Sequence, residues 1–483
     1  MEAERRDIIF VVPKPFAFQG HIRSINYLEY LKYNSTPCFD EMADFTDREN
    51  DELLSFVKYL KAHGVTPIEP LKTSIEELHS PDLRTKCPLK VAAEAISLYN
   101  MFASFLSCGK HGYVIAVTGG FGADGWYHIV GAGNAGRKGV RRPSDELCAG
   151  LAQACTKFIS SNAKPLNPDN MSGVLVAALD ICHAEVARRL KTIDMDAFFT
   201  THTAQIARTL QTLVSDNLER WKELGSGEKT TIATLYGRCL EFASYLWERI
   251  KDSENTQFRP HKNNIREFNN IAKGLYLLHR FPRGTRVVFD WPQGPINGDR
   301  FKCQPANAKA VLWQTVIEDF IKESARSDKK LQKKMRTKWK EAIGESQWVK
   351  AIPHTTCQLH CEIYLALHVL FSKSNVRFHS FLVEEGKRVF PIGCSKTSCI
   401  ACWDILLELS RQDSWNHPLY ICRTLNSHGK CYPTWGLTPH VESLPPSLLQ
   451  SVTGPKRQQM LKSLNHALRS THQRFKQRVK SST

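Results

Sequence analysis

The sequence predicts a mixed fold, with a largely α-helical N-terminal region followed by an α/β domain. Three observations support this prediction. Apolar residues recur at helical spacing through most of residues 144–280. After residue 283, short β-branched and aromatic runs are separated by helical patterns, which indicates strands packed against helices. Within that second region lie a histidine and a pair of cysteines at spacings that suit a metal site.

These patterns divide the chain into three parts. Residues 1–282 are predicted to form a mostly helical domain of unknown role, with a short N-terminal β element at 7–12. Residues 283–445 are predicted to form the α/β domain, with a basic helical insertion at 307–346. Residues 446–483 are predicted to form a basic, amphipathic C-terminal tail.

Individual elements follow from local patterns. In the first part, the runs 113–117 and 126–130 are separated by a glycine-rich turn, which predicts a hairpin. Helices are then predicted at 144–162, 172–191, 195–224, 229–251 and 263–280. In the second part, the runs 286–291 and 300–303 predict a hairpin that would supply the two early strands of the α/β sheet. Further strands are predicted at 376–383, 388–392 and 419–425.

Composition favours a globular chain with a polyanionic partner. The 483 residues are 42% hydrophobic and carry a formal net charge of +17, and such a balance favours nucleic acid. A basic protein that is merely well solvated has the same composition. We see no secretory signal and no membrane-length apolar run, and the 15 cysteines show no disulfide framework. An intracellular location, cytoplasmic or nuclear, is therefore expected; the oligomeric state is left open.

The most informative stretch runs from His360 to Cys402. An H-x-E motif begins at His360 and a C-x-x-C motif begins at Cys399, with Glu362 and Cys402 completing them. A catalytic zinc needs three nitrogen or sulfur ligands and one open position. Zinc lowers the pKa of bound water to about 7 and so supplies hydroxide, while a nearby carboxylate moves the protons. This motif pair is the pattern of zinc-dependent base deaminases, which attack C4 of cytosine or C6 of adenine.

Order along the chain separates this site from chance matches. H-x-E occurs at His183, His360 and His440, whereas C-x-x-C occurs once, at Cys399. His440 follows the cysteines, and His183 lies far upstream in a strongly helical run. Only His360 therefore has the order and spacing that the pattern requires.

Local signals at the two motifs do not all agree. Cys399 and Cys402 share a helix face if Ser398 is the N-cap of a helix that follows it. His360 and Glu362 flank one metal only if a helix end points at that metal. A capping-box pattern at 355–358 instead predicts an earlier helix start, so both alternatives stay open.

At these motifs, and at the runs 392–396 and 427–435, the sequence resembles the fungal and bacterial toxin-type (Orientia-type) branch of the nucleic acid/nucleotide deaminase superfamily. The resemblance covers roughly residues 350–440. It implies a three-layer α/β/α, cytidine-deaminase-like domain and Zn²⁺ as cofactor. The residues that it implies are the ligands His360, Cys399 and Cys402, the catalytic Glu362, His428 as a substrate contact and Trp435 as a stacking or packing residue. A loop histidine and a core tryptophan are the structural alternatives for the last two.

Two functions remain in view. The first is a zinc-dependent deaminase of a cytosine or adenine base in nucleic acid or nucleotide, acting through zinc-bound hydroxide, with Lys396 facing a phosphate or simply solvated. The second is a non-catalytic, zinc-stabilised scaffold that binds nucleic acid or protein. Cys394 would close that site as a fourth ligand.

Two basic segments have their own alternatives. The helix at 329–340 contains many lysines and Trp339, a combination that binds phosphates and stacks a base, or forms a solvated helix face. The tail from residue 455 carries an apolar helical stripe. The tail would bind nucleic acid, an acidic membrane or a partner groove, or it would pack on the domain that it follows.

Overall fold

Helices form most of the structure, and a small mixed sheet lies among them. This computed structural model describes residues 46–63, 88–107, 114–134, 142–161, 168–199, 201–258, 260–279, 281–292, 300–302, 312–352, 356–379, 381–384, 387–396, 398–409, 420–423 and 446–482. The predicted N-terminal strand at 7–12 lies outside the described residues.

The chain before residue 280 contributes seven described α-helices. They are α1 (Asp47–Ala62), α2 (Pro88–Leu106), α3 (Asp145–Ser160), α4 (Pro168–Lys191), α5 (Thr201–Glu219), α6 (Ser226–Ile250) and α7 (Lys262–Leu278). The helices predicted between residues 144 and 280 are thus confirmed. Helix α3 begins where it does because the Ser144 hydroxyl accepts a hydrogen bond from the Leu147 N–H.

The chain after residue 280 contributes a further seven described helices. They are α8 (Trp313–Ala325), α9 (Lys329–Ile343), α10 (Glu345–Trp348), α11 (Cys361–Phe371), α12 (Ile400–Leu409), α13 (Pro446–Ser451) and α14 (Gly454–Ser482). None of the described helices has the combination of length and apolar content that crossing a membrane requires.

Ten strands are described, and they form three sheets of five, three and two strands. They are β1 (Ile115–Gly122), β2 (Tyr127–Gly133), β3 (Val287–Asp290), β4 (Arg300–Lys302), β5 (Thr356–Gln358), β6 (Val376–Phe378), β7 (Phe381–Glu384), β8 (Lys387–Pro391), β9 (Gly393–Cys394) and β10 (Tyr420–Arg423). One sheet has the order β3-β2-β1-β6, with β9 also paired to β1, and a second has the order β10-β8-β7. Only Ile392 separates β8 from β9, so one run of chain enters both sheets.

The early strands of the sheet are not the predicted ones. Strands β1 and β2 form the antiparallel hairpin expected from residues 113–130. The hairpin predicted from 286–303 is wrong, because β3 pairs in parallel with β2 whereas β4 pairs with β5. Strand register depends on partners far along the chain, which local alternation does not reveal. The sheet therefore takes strands from both sides of residue 283, where the sequence predicts a domain boundary.

The β1–β2 hairpin separates two hydrophobic cores. Side chains of successive strand residues point to opposite faces. Ile115 and Val117 pack in the core built with α2 to α7, whereas Ala116 packs in the core built with α11, α12 and α14. On β2, Ile129 belongs to the first core and Val130 to the second. The two faces of the hairpin consequently pack against different groups of helices.

A close backbone approach holds α2 against β9. A Cβ atom added at Gly393 would lie 2.1 Å from the carbonyl carbon of Tyr99 and 2.3 Å from the amide nitrogen of Asn100. Because backbone atoms yield little, we expect Gly393→Ala to lower the free energy of unfolding by about 3 kcal/mol. Chemical denaturation measures this change.

The matched control is Gly150→Ala on α3, where an added Cβ meets nothing within 4 Å. This control should stabilise the protein by up to about 1 kcal/mol, because alanine loses less backbone freedom on folding than glycine. A Gly393→Ala protein that is as stable as the wild type would contradict the packing.

Candidate metal centre

His360 stands immediately before helix α11, at its N-terminal end. The backbone of His360 is extended (φ −70°, ψ 146°), and its carbonyl accepts hydrogen bonds from the N–H groups of Ile363 and Tyr364, both at 3.0 Å. The earlier helix start predicted from 355–358 is wrong, because residues Thr356–Gln358 form β5 and pair with β4. The helix end therefore points at the site, as the i, i+2 spacing of His360 and Glu362 requires.

A distant asparagine caps this helix. The His360 side chain makes no capping hydrogen bond. The side-chain oxygen of Asn134, 227 residues upstream, instead accepts a bond of 2.7 Å from the buried N–H of Cys361. Asn134 follows β2 directly, and its own N–H donates to the Val114 carbonyl at 2.9 Å. Sequence reasoning missed Asn134; the one available signal was a polar residue directly after a strand.

The cysteine helix begins one residue later than predicted. The carbonyl of Cys399 accepts the Trp403 N–H at 3.0 Å, and the Cys399 sulfur lies 3.4 Å from the N–H of Cys402. Cys399 therefore occupies the N-cap, and the prediction of Ser398 as N-cap is wrong. Ser398 is fully buried, and its hydroxyl hydrogen-bonds the Cys394 thiol instead.

The loop before the cysteines is tied to the hairpin and to α2. The N–H of Ser395 donates to the Ile115 carbonyl at 2.9 Å, and the Ser395 hydroxyl accepts the Ile115 N–H at 3.0 Å. The side-chain oxygen of Asn100 accepts the Cys394 N–H at 2.7 Å. Residues from before position 135 therefore hold the cysteine loop in place.

The three predicted ligands converge at one point. Nδ1 of His360 lies 3.6 Å from the sulfur of Cys399 and 3.3 Å from the sulfur of Cys402. All three side chains are buried. A tetrahedral zinc with ordinary bond lengths would separate nitrogen from sulfur by about 3.6 Å. In the described part of the chain, these three residues form the one group of histidine, cysteine and carboxylate side chains arranged to hold a metal ion.

Electrostatics favour a metal at this point. Burial raises the pKa of the Cys399 thiol, but hydrogen bonding with Cys402 and the proximity of His360 outweigh burial and lower that pKa to about 6. Burial, and then the neighbouring Cys399, raise the pKa of Cys402 well above its usual range. Burial lowers the pKa of His360, yet Cys399 and Glu362 together raise it by more. A divalent cation would relieve this clustering of charge and stabilise both thiolates.

Glu362 lies beside the group without belonging to it. Its side chain is 2% exposed. The thiol of Cys361 donates to the Glu362 Oε2 at 3.4 Å. The negative charge of Glu362 helps to raise the pKa of His360. The same charge also acts to raise the pKa of Cys399, against the net lowering there. Glu362 is therefore buried, and it is close enough to the cluster for its charge to act on His360 and Cys399.

Of the three predicted substrate-binding residues, one lies in the described part of the chain. Lys396 is exposed, and it lies near the helical region: partial desolvation lowers its pKa, and Glu185 and Arg189 on α4 act on its charge. His428 and Trp435 lie outside the described residues.

The C-terminal helix packs on the cysteine helix. Its apolar stripe is buried, including Leu464, Leu468 and Phe475. Arg474 and Arg478 form ion pairs with Asp404 on α12. Of the alternatives predicted for the tail, the structure therefore shows packing on the part of the chain that precedes it.

Comparison with known protein families gives a match at the metal centre. A family model described as an OTT_1508_deam-like deaminase matches residues 359–440. The matched segment begins one residue before His360 and contains both Cys399 and Cys402. No curated protein and no solved structure gives a significant match. The comparison therefore supports a deaminase-family assignment for this segment, which contains a buried group able to hold a metal.

Proposed function

We propose that this protein is a zinc-dependent deaminase that hydrolyses the exocyclic amine of a cytosine or adenine base in nucleic acid or a nucleotide. The observation that supports it most strongly is the convergence of His360, Cys399 and Cys402, with Glu362 buried beside them. The match to a deaminase family over 359–440 agrees with this chemistry. We also place the chain in the fungal and bacterial toxin-type branch, on the sequence motifs.

Each residue of the centre has a defined task in this proposal. His360, Cys399 and Cys402 would hold Zn²⁺, which when bound lowers the pKa of a water to about 7 and polarises it for attack. Glu362 would accept one proton from the water and deliver it to the ring nitrogen. It would then accept the second proton, from the hydroxyl group formed on the ring carbon, and deliver it to the amine, which leaves as ammonia while the ring carbon becomes a carbonyl. General acid–base catalysis of this kind contributes about 10²- to 10⁴-fold to a rate.

The layering supports a cytidine-deaminase-like domain larger than residues 283–445. Helix α2 packs on one face of the β1–β2 hairpin, and α11 with its motif packs on the other. We therefore extend the proposed domain upstream to include α2, β1 and β2, with helices α3 to α7 as an insertion between β2 and β3. Lys396, His428 and Trp435 remain our candidates for substrate contacts.

The rival scaffold needs Cys394 as a fourth ligand. Among the described residues, the group whose ligand atoms lie within 4.8 Å of one another contains three members, and Cys394 is not one of them. Three protein ligands leave a position open for water, which is the arrangement of a catalytic zinc. This observation favours the enzyme over the scaffold.

Metal analysis combined with an ammonia assay tests the proposal. We expect purified protein to retain zinc and to release ammonia from at least one cytosine or adenine substrate in a panel of nucleosides, nucleotides, DNA and RNA. His360→Ala should lose the zinc and the ammonia release. The matched control is His183→Ala, which changes another H-x-E histidine, half-buried on α4, and should keep both. Zinc-loaded, folded protein that releases no ammonia from any substrate would favour the scaffold.

A further inference from the structure

Helix α9 presents a row of exposed lysines to solvent. Lys329, Lys330, Lys333 and Lys334, which we call the lysine face, are all exposed. None of them pairs with an acidic side chain in the part of the chain that is described. Other cations of the same helix do have acidic partners, since Arg336 pairs with Glu318 and Lys340 pairs with Glu345.

The position of the lysine face in the helix adds to its positive potential. Asp328 caps the N-terminus of α9 by accepting the Leu331 N–H at 2.9 Å, so Lys329 and Lys330 stand in the first turn. A helix N-terminus is the positive end of the helix dipole, where cations are unfavourable and anions are favoured. The like charges within each of the two i, i+4 lysine pairs also repel each other. A bound polyanion would remove both costs.

The side chains of α9 do not suit base stacking or insertion into a membrane interface. Met335, Trp339 and Ile343 are buried against α1 and α8. The prediction that Trp339 stacks a base is wrong, because its side chain has no exposed surface. The lysine face carries no exposed aromatic or aliphatic side chain of the kind that inserts into a membrane interface. Charge is therefore the property that this surface offers to a partner.

We propose that the lysine face binds the phosphate backbone of nucleic acid without regard to base sequence. Helix α9 packs on α1, α1 packs on α14, and α14 packs on α12, the helix that carries Cys402. Four exposed lysines spread over more than one helical turn fit the successive phosphates of a polymer, whereas a free nucleotide carries its phosphates at one point. Resting on the proposed function, this inference makes a nucleic acid polymer the preferred substrate over a free nucleotide.

Fluorescence anisotropy with labelled single-stranded DNA and RNA tests the binding. The variant changes Lys329, Lys330, Lys333 and Lys334 to glutamine. Each phosphate contact contributes about 0.7 to the slope of log K against log salt for single strands, so the slope should fall by about 3 between 50 and 200 mM salt. Affinity should fall equally for all sequences, because backbone contacts do not read bases.

The matched control removes the same charge from scattered, exposed lysines: Lys157, Lys222, Lys350 and Lys373, each to glutamine. Its slope and affinity should stay near those of the wild type. An equal loss in both variants would reduce the effect to net charge and overturn the proposal. Two other results would overturn it as well. One is unchanged nucleic acid binding in the lysine-face variant. The other is a lysine-face variant that loses binding to anionic vesicles but keeps its binding to nucleic acid.

Two further readouts separate this proposal from the deaminase proposal. Binding is measured without turnover, so binding that depends on the lysine face supports this site even if no substrate releases ammonia. With an active enzyme, the lysine-face variant should raise the KM for a polymer, leave its kcat unchanged, and leave the KM for a free nucleotide unchanged. An unchanged KM for the polymer would overturn the substrate assignment.

Discussion

Glu362→Gln is expected to reduce ammonia release by about 10²- to 10⁴-fold, because an amide cannot accept the proton that the reaction must move. Glutamine has nearly the same size and still offers an oxygen to the Cys361 thiol, which now donates to Glu362 at 3.4 Å. Glu362 is not among the three residues placed to hold the metal. The variant should therefore retain zinc and the thermal stability of the wild type while losing turnover.

The control for this loss is Glu345→Gln on α10, whose side chain is 85% exposed. It removes the same charge from a solvent-exposed side chain outside the group that could hold a metal, and its rate should equal that of the wild type. Steady-state ammonia release and zinc content are measured on the same preparations. A Glu362→Gln protein with wild-type turnover would remove Glu362 from the proposed proton transfer.

Asp404→Ala is expected to lower the free energy of unfolding by about 3 kcal/mol and to speed the loss of zinc to a chelator. Asp404 is 1% exposed, and its carboxylate accepts hydrogen bonds from Arg478 at 2.6 and 3.3 Å and from Arg474 at 3.4 Å. Removing it leaves two guanidinium groups short of a partner. Their side chains are 18% and 21% exposed, which places the expected cost at the low end for a broken buried pair.

The effect on zinc follows from the position of Asp404. It lies two residues after Cys402 on α12, and the ion pairs of Arg474 with Asp404 and Glu408 hold α14 along that helix. Loosening α14 would let the N-terminus of α12, and with it both cysteine sulfurs, move relative to His360.

The matched control is Asp319→Ala, which breaks an exposed ion pair with Arg48; the two side chains are 41% and 66% exposed. Such pairs contribute about 1 kcal/mol or less. Chemical denaturation and competition with a chromogenic chelator give the two readouts. If Asp404→Ala behaves like Asp319→Ala in both, α14 does not hold the cysteine helix in place.

Local patterns were sufficient where the physical cause is local. The helices between 144 and 280 and the β1–β2 hairpin follow from periodicity and turn residues within a few positions. Predictions were wrong where the cause lay elsewhere. The hairpin at 286–303 does not form because the free edge of β2 takes up β3. Trp339 is not available for base stacking because α1 and α8 pack over its side chain.

At the metal centre, the sequence alone determined which side chains meet and in what order, because zinc coordination demands particular nitrogen and sulfur donors at helix-compatible spacing. Only the tertiary structure decided that the helix after His360 starts at Cys361, through an acceptor on Asn134, and that the Ser395 loop rests on β1. These hydrogen bonds join residues more than 200 positions apart, and such bonds leave no periodic trace in the residues on either side.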